Sequence, residues 1–491
     1  MIPLSNATLD HLPQDVLKPS YSRADVRPGI AHIGVGNFHR AHQAHYVEQV
    51  LALPGQVEWG IVGLGIRHGR REEERREAFR KQDSLFTLTE FASDGTKAIH
   101  AIGSIVEYVS CLDGYEGVIH RLTDPAIRIV SLTITEGGYY VDGQGRFQLD
   151  HPDIAEDLKR DVPQTAFGVV TEALKRRRAA GVGPFTVLSC DNLQENGKVA
   201  RTAFCGFADA RDAELGAWMR EKVTFPCAMV DRIAPSIGAA DIERLDHESG
   251  VADLMPVYSE DFTQWVIEDS FCAGRPALEK VGVQFTSDVA PYEQVKLRML
   301  NAAHSTLAYA GLLMGYRRVD KAIADGGLAT LVGTFLNEDV APLLTPPADV
   351  NVTDYARLVL NRFRNPEVGD QLERIASGGL AKLPVFLGPT VKQLLEKGRD
   401  ARREAFTLAC WAECYRDVNG TTGDIRVSDP QVTEQDKAAL QGEDPQAILG
   451  LPVFAGWGVA ENATFAEHFA AFHKGLKESG AKEVLAGVLK G

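Results

Sequence analysis

The 491-residue chain contains no uninterrupted apolar run of about 18 residues, the length that a bilayer-spanning helix requires, so no membrane span is expected. Its longest mostly apolar stretch, Leu297 to Tyr316, is interrupted by Arg298, Asn301 and His304. An excess of basic residues is lacking too. The net charge is −15, which would repel a nucleic-acid or anionic-membrane partner. A local basic site for a small anion stays compatible with that balance. Cysteine is scarce: seven residues, an odd number, with no pair in CxxC spacing. Cys410 and Cys414 stand four apart, on one face of a helix, but no matching His or Cys pair lies near them in sequence, so no metal site is expected. Such cysteine usage suits a reducing compartment, and the cytoplasm is the expected location. The first ten residues have neither a basic n-region nor an apolar h-region and do not read as a signal peptide. No internal repeat or low-complexity tract is visible.

What is present is the balance of a globular protein, 44% hydrophobic and 24% charged. The length corresponds to roughly two to four domains. In the first part, short apolar runs alternate with helical patterns. Strands are expected at Gly29–Gly34, Val57–Leu64, Ile127–Thr133 and Phe185–Ser189, and helices at Ala41–Leu53 and Phe167–Ala180. Such alternation implies crossover units, a mainly parallel sheet and a doubly wound α/β domain of Rossmann type. From Tyr292 onward the patterns are helical, at Glu293–Leu313, Thr353–Phe363, Pro366–Ser377, Ala401–Tyr415 and Ala463–Gly475. The expected division is a dinucleotide-binding domain over 1–285 and a mainly helical substrate and catalytic domain over 286–491.

Three groups of residues carry chemistry. The first is Ile33-Gly34-Val35-Gly36-Asn37-Phe38-His39-Arg40, which follows the first strand and opens the first helix. Glycine lets the backbone turn tightly and approach a diphosphate, and the helix start offers free N–H groups. His39 stands where a third glycine is usual. Arg40 is either a further phosphate contact or a solvated helix residue. The second group ends the second strand, where an NAD-binding fold usually places a carboxylate for the ribose hydroxyls. Here Arg67-His68-Gly69-Arg70-Arg71 intervenes, and no carboxylate comes before Glu72. Guanidinium groups there suit a 2′-phosphate, so NADP(H) preference or dual use is expected of this NAD(P) site, with strict NAD as the alternative. The bland reading is an exposed helix start, since Arg71 to Arg80 mixes Glu and Arg.

The third group is Lys296, Asn301 and His304 at the start of the helical part. In an α-helix Asn301 lies about 140° from Lys296, with His304 at about 80° between them, so all three border one cleft. A lysine whose pKa is lowered by burial accepts an alcohol proton without metal, and an asparagine amide donates to the oxygen that becomes negative. The bland readings are a solvated lysine and a structural histidine. Thr135 and Glu136, and Asp191-Asn192, follow apolar strands, where open α/β sheets bind ligands.

Together with these, Ser131–Tyr139, Ser189–Asn192, Val223–Pro235 around Val-Asp-Arg, Glu260–Asp269 and Lys296-x4-Asn301-x2-His304 make the chain resemble the mannitol dehydrogenase family of long-chain polyol-specific dehydrogenases, along nearly its whole length. The resemblance implies a metal-independent oxidoreductase that interconverts a sugar alcohol and its keto-sugar, with an active site between its two domains. It makes Lys296 the general acid/base and Asn192 and Asn301 the amides that stabilise the alkoxide. His304 orients the reacting oxygen and Glu293 helps relay the proton. Asp231, Arg374 and Lys382 match polyol-contacting positions. Mannitol and fructose are the first expected pair, then sorbitol or arabinitol. A hexuronate reductase of the same family is one rival, and a nucleotide-sensing protein that has lost turnover is another. Oligomeric state is left open.

Overall fold

The structure, a computed structural model, describes residues 1–142, 144–420, 424–442 and 444–490. It divides into two compact units, one of Met1–Ala92 with Thr96–Ala290, the other of Pro291–Gly491 with Ser93–Gly95.

The first unit is built on a five-stranded parallel sheet. Its strands are β1 (Pro28–Ile33), β2 (Gly60–Gly65), β3 (Ile105–Ser110), β4 (Ile129–Leu132) and β5 (Thr186–Ser189), in the order β3-β2-β1-β4-β5. This is the doubly wound order in which the chain reverses direction between β1 and β4. Ile30–Ile33 pairs in parallel with Ile61–Leu64 on one side and Ile129–Leu132 on the other. The inner strands are mostly apolar because helices cover both faces. A polar cluster crosses them: His32 is fully buried, with Nδ1 2.8 Å from Ser131 Oγ and Nε2 3.0 Å from Thr133 Oγ1.

Three further sheets surround this one, and the sequence pattern did not foretell them. Phe86–Phe91 pairs antiparallel with Lys97–Ile102 and parallel with Val257–Glu260. Ala228–Asp231 pairs antiparallel with Gln264–Glu268, which pairs in parallel with Gln284–Thr286. Ile2–Pro3 pairs with Val251–Ala252. The edge strand β3, Ile-Val-Glu-Tyr-Val-Ser, was likewise not expected. Its middle four residues are half-buried, so it lacks the continuous apolar run of the inner strands. The expected helix Ala41–Leu53 starts earlier, at Asn37, and breaks at His42 into Asn37–Ala41 and Gln43–Leu51. The His42 ring bonds the Gln264 carbonyl at 2.9 Å and the Gln43 amide at 3.0 Å, which holds the break.

The second unit is helical, with no strand among its described residues beyond the single bridge Arg318–Gln371. Ala302–Leu313 runs through its middle with ten of its twelve residues buried, packed on Arg402–Cys414. Pro366–Ser377 was expected as one helix, but only Leu372–Ala376 is helical. Gly369 has φ +61°, and the Asn365 side chain accepts the Glu367 N–H, so a turn replaces the first half. The expected α-helix from Glu293 to Leu313 is also altered. Ala290–Val295 is α-helical, Lys296–Asn301 is a π-helix, and the α-helix resumes at Ala302.

Gly34 has φ +96°, and a Cβ there would sit 2.1 Å from the Thr133 carbonyl oxygen. Gly36 has φ −99°, and a Cβ would meet nothing closer than the Gly34 oxygen at 3.8 Å. Gly34→Ala should therefore lower unfolding stability by about 1–3 kcal/mol. Gly36→Ala should change it by less than about 0.5 kcal/mol. Urea unfolding of both variants checks this, and equal losses would contradict it.

Candidate active site

In the first unit the candidate residues gather beyond the carboxyl ends of β1, β4 and β5. The loop after β1 is tied to the loop after β4. Thr133 donates its N–H to the Ile33 carbonyl at 3.0 Å and its hydroxyl to the Gly34 carbonyl at 2.6 Å. This is the crevice where doubly wound sheets bind ligands. The space a Cβ would take at Gly36 is open, and the first N–H groups of the following helix have no intrahelical partner, so a diphosphate fits against the backbone here.

The side chains of this loop do other work. The His39 ring is buried and stacks on His32, centroids 3.4 Å apart. Burial pushes its pKa well below the ordinary histidine value, so two neutral rings floor the loop. Arg40 is buried, not solvated. It donates to the Met255 carbonyl and, at 2.9 Å, to Asn37 Oδ1. Asn37 Nδ2 donates to the Pro235 carbonyl at 3.3 Å. Phe38 stacks on His42, and Ile33 and Val35 are core residues.

Thr135 and Glu136 lie exposed beyond β4, and Asn192 lies exposed beyond β5. Asp191 ties these two loops together. Its buried carboxyl accepts the N–H groups of Ile134 (3.0 Å) and Thr135 (2.8 Å) and the Tyr139 hydroxyl (2.7 Å). Burial pushes this carboxyl from 3.8 up to about 6. Asn196 carries the tie onward, donating to the carbonyls of Asp191 (3.0 Å) and Ala228 (2.7 Å). Asp231 ends the strand Ala228–Asp231 and is buried. Its neighbour Arg232 anchors the strand to the Ala41 carbonyl at 2.6 Å and to Glu90.

At the end of β2, Arg67, Arg70 and Arg71 are exposed, and Arg70 opens the helix Arg70–Lys81 with its Nε 2.7 Å from Glu74. Glu72 belongs to the same helix yet is buried. It accepts hydroxyls from Tyr108 (2.8 Å) and Ser110 (2.7 Å), and a Cβ on Gly65 would strike it at 1.9 Å. The first carboxylate after β2 is thus held by protein hydroxyls. Sequence reading missed Asp191, Asn196 and Glu72 as organisers, although Asp191 and Glu72 stand out as the first carboxyls after apolar strands.

In the second unit, Glu293 and Lys296 are buried, and Asn301 and His304 are half-buried. The π-helical turn changes their relation. Hydrogen bonding from i to i+5 places Asn301 about one turn beyond Lys296, closer to a common face than the 140° of an α-helix. The His304 ring stacks on Phe363, centroids 4.1 Å apart. Arg374 and Lys382 are both engaged within the protein. Arg374 grips Asp370 with two bonds, 2.9 and 2.5 Å, and Lys382 donates to the Ile375 and Ser377 carbonyls at 3.1 and 2.6 Å. The helix carrying Lys382, Gly379–Phe386, packs on the π segment.

Comparison with known proteins decides what this arrangement belongs to. The family model for the mannitol dehydrogenase Rossmann domain matches residues 28–280, and that for the mannitol dehydrogenase C-terminal domain matches 288–477. The chain belongs to the mannitol dehydrogenase family. Polyol:NADP oxidoreductase of Gluconobacter oxydans (strain 621H) is 43% identical, over 98% of this chain and 99% of its own. Mannitol 2-dehydrogenase of Cereibacter sphaeroides is 42% identical, over 96% and 98%. The Pseudomonas fluorescens mannitol 2-dehydrogenase, solved as a ternary complex with NAD and D-mannitol, is 40% identical over all of both chains, with a TM-score of 0.90. This chain is therefore an oxidoreductase of the mannitol dehydrogenase family.

Asp191→Ala should leave two N–H groups without their acceptor, at about 1–3 kcal/mol each where no water replaces it, while the Tyr139 hydroxyl keeps Ser189 Oγ at 2.6 Å. The sign of the pH effect is opposite to that of a salt-bridged carboxylate. Because the folded value, about 6, lies above 3.8, the stability from Asp191 is complete below about pH 4 and is lost as pH rises through 6. The deficit of the variant should therefore narrow between pH 4.5 and 6.5 in denaturant titrations. A deficit that widens would contradict this.

Proposed function

We propose that the chain interconverts a polyol and its ketose, with mannitol and fructose the first pair, sorbitol and arabinitol following, and Lys296 as general acid/base. The observation that carries this is the buried Lys296 at the head of a π-helical turn that also presents Asn301, with His304 three residues on. A π turn within an α-helix recurs at functional sites. The nicotinamide supplies a two-electron hydride acceptor or donor. In the oxidative direction neutral Lys296 takes the hydroxyl proton, and Glu293 accepts it onward. The amides of Asn192 and Asn301 hold the oxygen while the C–H hydride leaves, and His304 orients it. Asp231, Arg374 and Lys382 contact the remaining hydroxyls. The residues after Ile33 carry the cofactor diphosphate on their backbone, and Thr135 and Glu136 border the nicotinamide side. The cysteine usage supports a cytoplasmic location.

The cofactor reading rests on the loop after β2. Arg67, Arg70 and Arg71 are exposed, and the first carboxylate after β2, Glu72, is buried and taken by Tyr108, Ser110 and Arg75. The Arg70–Glu74 pair is an exposed i,i+4 contact, which water and salt weaken, so the guanidinium exchanges readily to a phosphate. The Gluconobacter relative is named for NADP, which supports the same reading.

Two measurements test these proposals. Lys296→Ala should reduce turnover at least about a hundredfold while reduced-cofactor affinity, read by fluorescence quenching, stays nearly intact. Retention of more than about a tenth of the rate would remove Lys296 from its role. A panel of mannitol, sorbitol, arabinitol, fructose and fructuronate fixes the substrate class, and a preference for fructuronate would favour the hexuronate branch. Separately, kcat/KM with NADP(H) should equal or exceed that with NAD(H), and Arg70→Glu should cut the NADP(H) value by about tenfold or more. A wild-type preference for NAD(H) above about a hundredfold would make the arginines a solvated helix start.

A further inference from the structure

Arg298 is a buried cation without an anion. It lies in the π segment two residues after Lys296 and is 4% exposed. Its Nε donates to Thr390 Oγ1 and its Nη2 to Gln393 Oε1, each at 3.0 Å, and both acceptors are neutral. Both stand on the helix Gly388–Glu396. No ion pair reaches the guanidinium among the described residues. Burial pushes its pKa down to about 10, which still leaves it charged at neutral pH.

The carboxylates on neighbouring elements bond other partners. On Phe335–Val340, Asp339 is gripped by Arg403 with two bonds of 2.6 Å, and Glu338 pairs with the same arginine. On Val352–Phe363, Asp354 and Arg357 form an exposed pair and Arg362 is a second buried cation. On Gly379–Phe386, Lys382 serves backbone carbonyls, and on Gly388–Glu396, Lys392 and Glu396 face solvent together. Along its own helix stand Glu293, buried, His304, stacked on Phe363, and Tyr309, which bonds the Ala376 carbonyl. A protein that buries a guanidinium normally supplies a carboxylate. Here the guanidinium is held only by an alcohol and an amide, so no carboxylate is bonded to it.

We propose that Arg298 is a positioning residue of the reaction, whose uncompensated charge, delivered across one turn of helix, keeps Lys296 in the neutral form that accepts the alcohol proton. This rests on the reading of Lys296 as the base. At a separation of order 10 Å and an effective dielectric of about 20, Coulomb repulsion lowers an ammonium pKa by about one unit. Hydride and proton balance is unchanged: Arg298 gives up no proton and touches no substrate.

The experiment is the pH profile of kcat/KM in both directions. Oxidation needs neutral lysine, so its rising limb should move up by about one pH unit in Arg298→Gln. Reduction needs protonated lysine, so its falling limb should move up by the same amount. Simple damage to the site lowers both profiles without moving the limbs. Arg298→Lys keeps the charge and should keep the wild-type limbs. Should Arg298→Gln not fold, Gln393→Glu places a carboxylate against the guanidinium and should move the limbs the same way. Unmoved limbs in a folded Arg298→Gln or Gln393→Glu protein, or equal shifts in the Lys and Gln variants, overturn the proposal. Full activity of Lys296→Ala would instead overturn the reading beneath it, which keeps the two failures distinct.

Discussion

The parallel pairing of β1 with β4 is the constraint on which the nucleotide half depends. The two strands are neighbours in the sheet but far apart in the chain, so the connections that leave their carboxyl ends diverge and leave a crevice. The polar cluster of His32, Ser131 and Thr133 locks the register across this pairing from inside the core. A one-residue slip would break both imidazole bonds and the Thr133–Gly34 bond together, and a buried unpaired imidazole is costly. The left-handed Gly34, the open Gly36 and the floor made by His39 all follow from that alignment. Asp191 extends the same alignment to β5, so three loops beyond the sheet are held by one connected set of hydrogen bonds.

The helical half solves a different problem. It carries the buried Lys296 on a helix whose continuation is itself packed on nearly every side. Ala302–Leu313 is almost wholly buried, so the helix leading into it cannot rotate freely to aim its side chains. The π turn at Lys296–Asn301 adjusts the aim locally, adding one residue to a turn while the flanking α-helices keep their packing. The polar residues of this turn face different supports, with Arg298 reaching Thr390 and Gln393 on the next helix.

Much of this was legible in the residues. The apolar run at Gly29–Gly34 is visible because both faces of an inner parallel strand are buried, so nearly every residue is apolar. The GxG loop is visible because glycine is required where the backbone takes a positive φ. The additional sheets were not legible, since Ala228–Asp231 and Gln264–Glu268 find each other only through pairing across more than thirty residues. Glu72 shows the limit at the level of one side chain. In sequence it is one of many charges on an exposed helix, and its burial arises only because Gly65, Tyr108 and Ser110 are brought around it.

By itself the sequence determined the fold class, the family and four of the five strands of the parallel sheet. Those depend on hydrophobic period, glycine placement and short motifs, all of which are local. Only the tertiary structure decided that Arg40 is buried against Met255, that Pro366–Gln371 forms a turn, and that Lys296 opens a π-helix rather than a turn of α-helix. It also decided that Arg298 has neutral partners alone. These outcomes depend on which groups distant in the chain arrive to satisfy a buried donor or fill a space. A buried charge or an extra residue in a helical turn has no period of its own to read, because its energy is set by its surroundings.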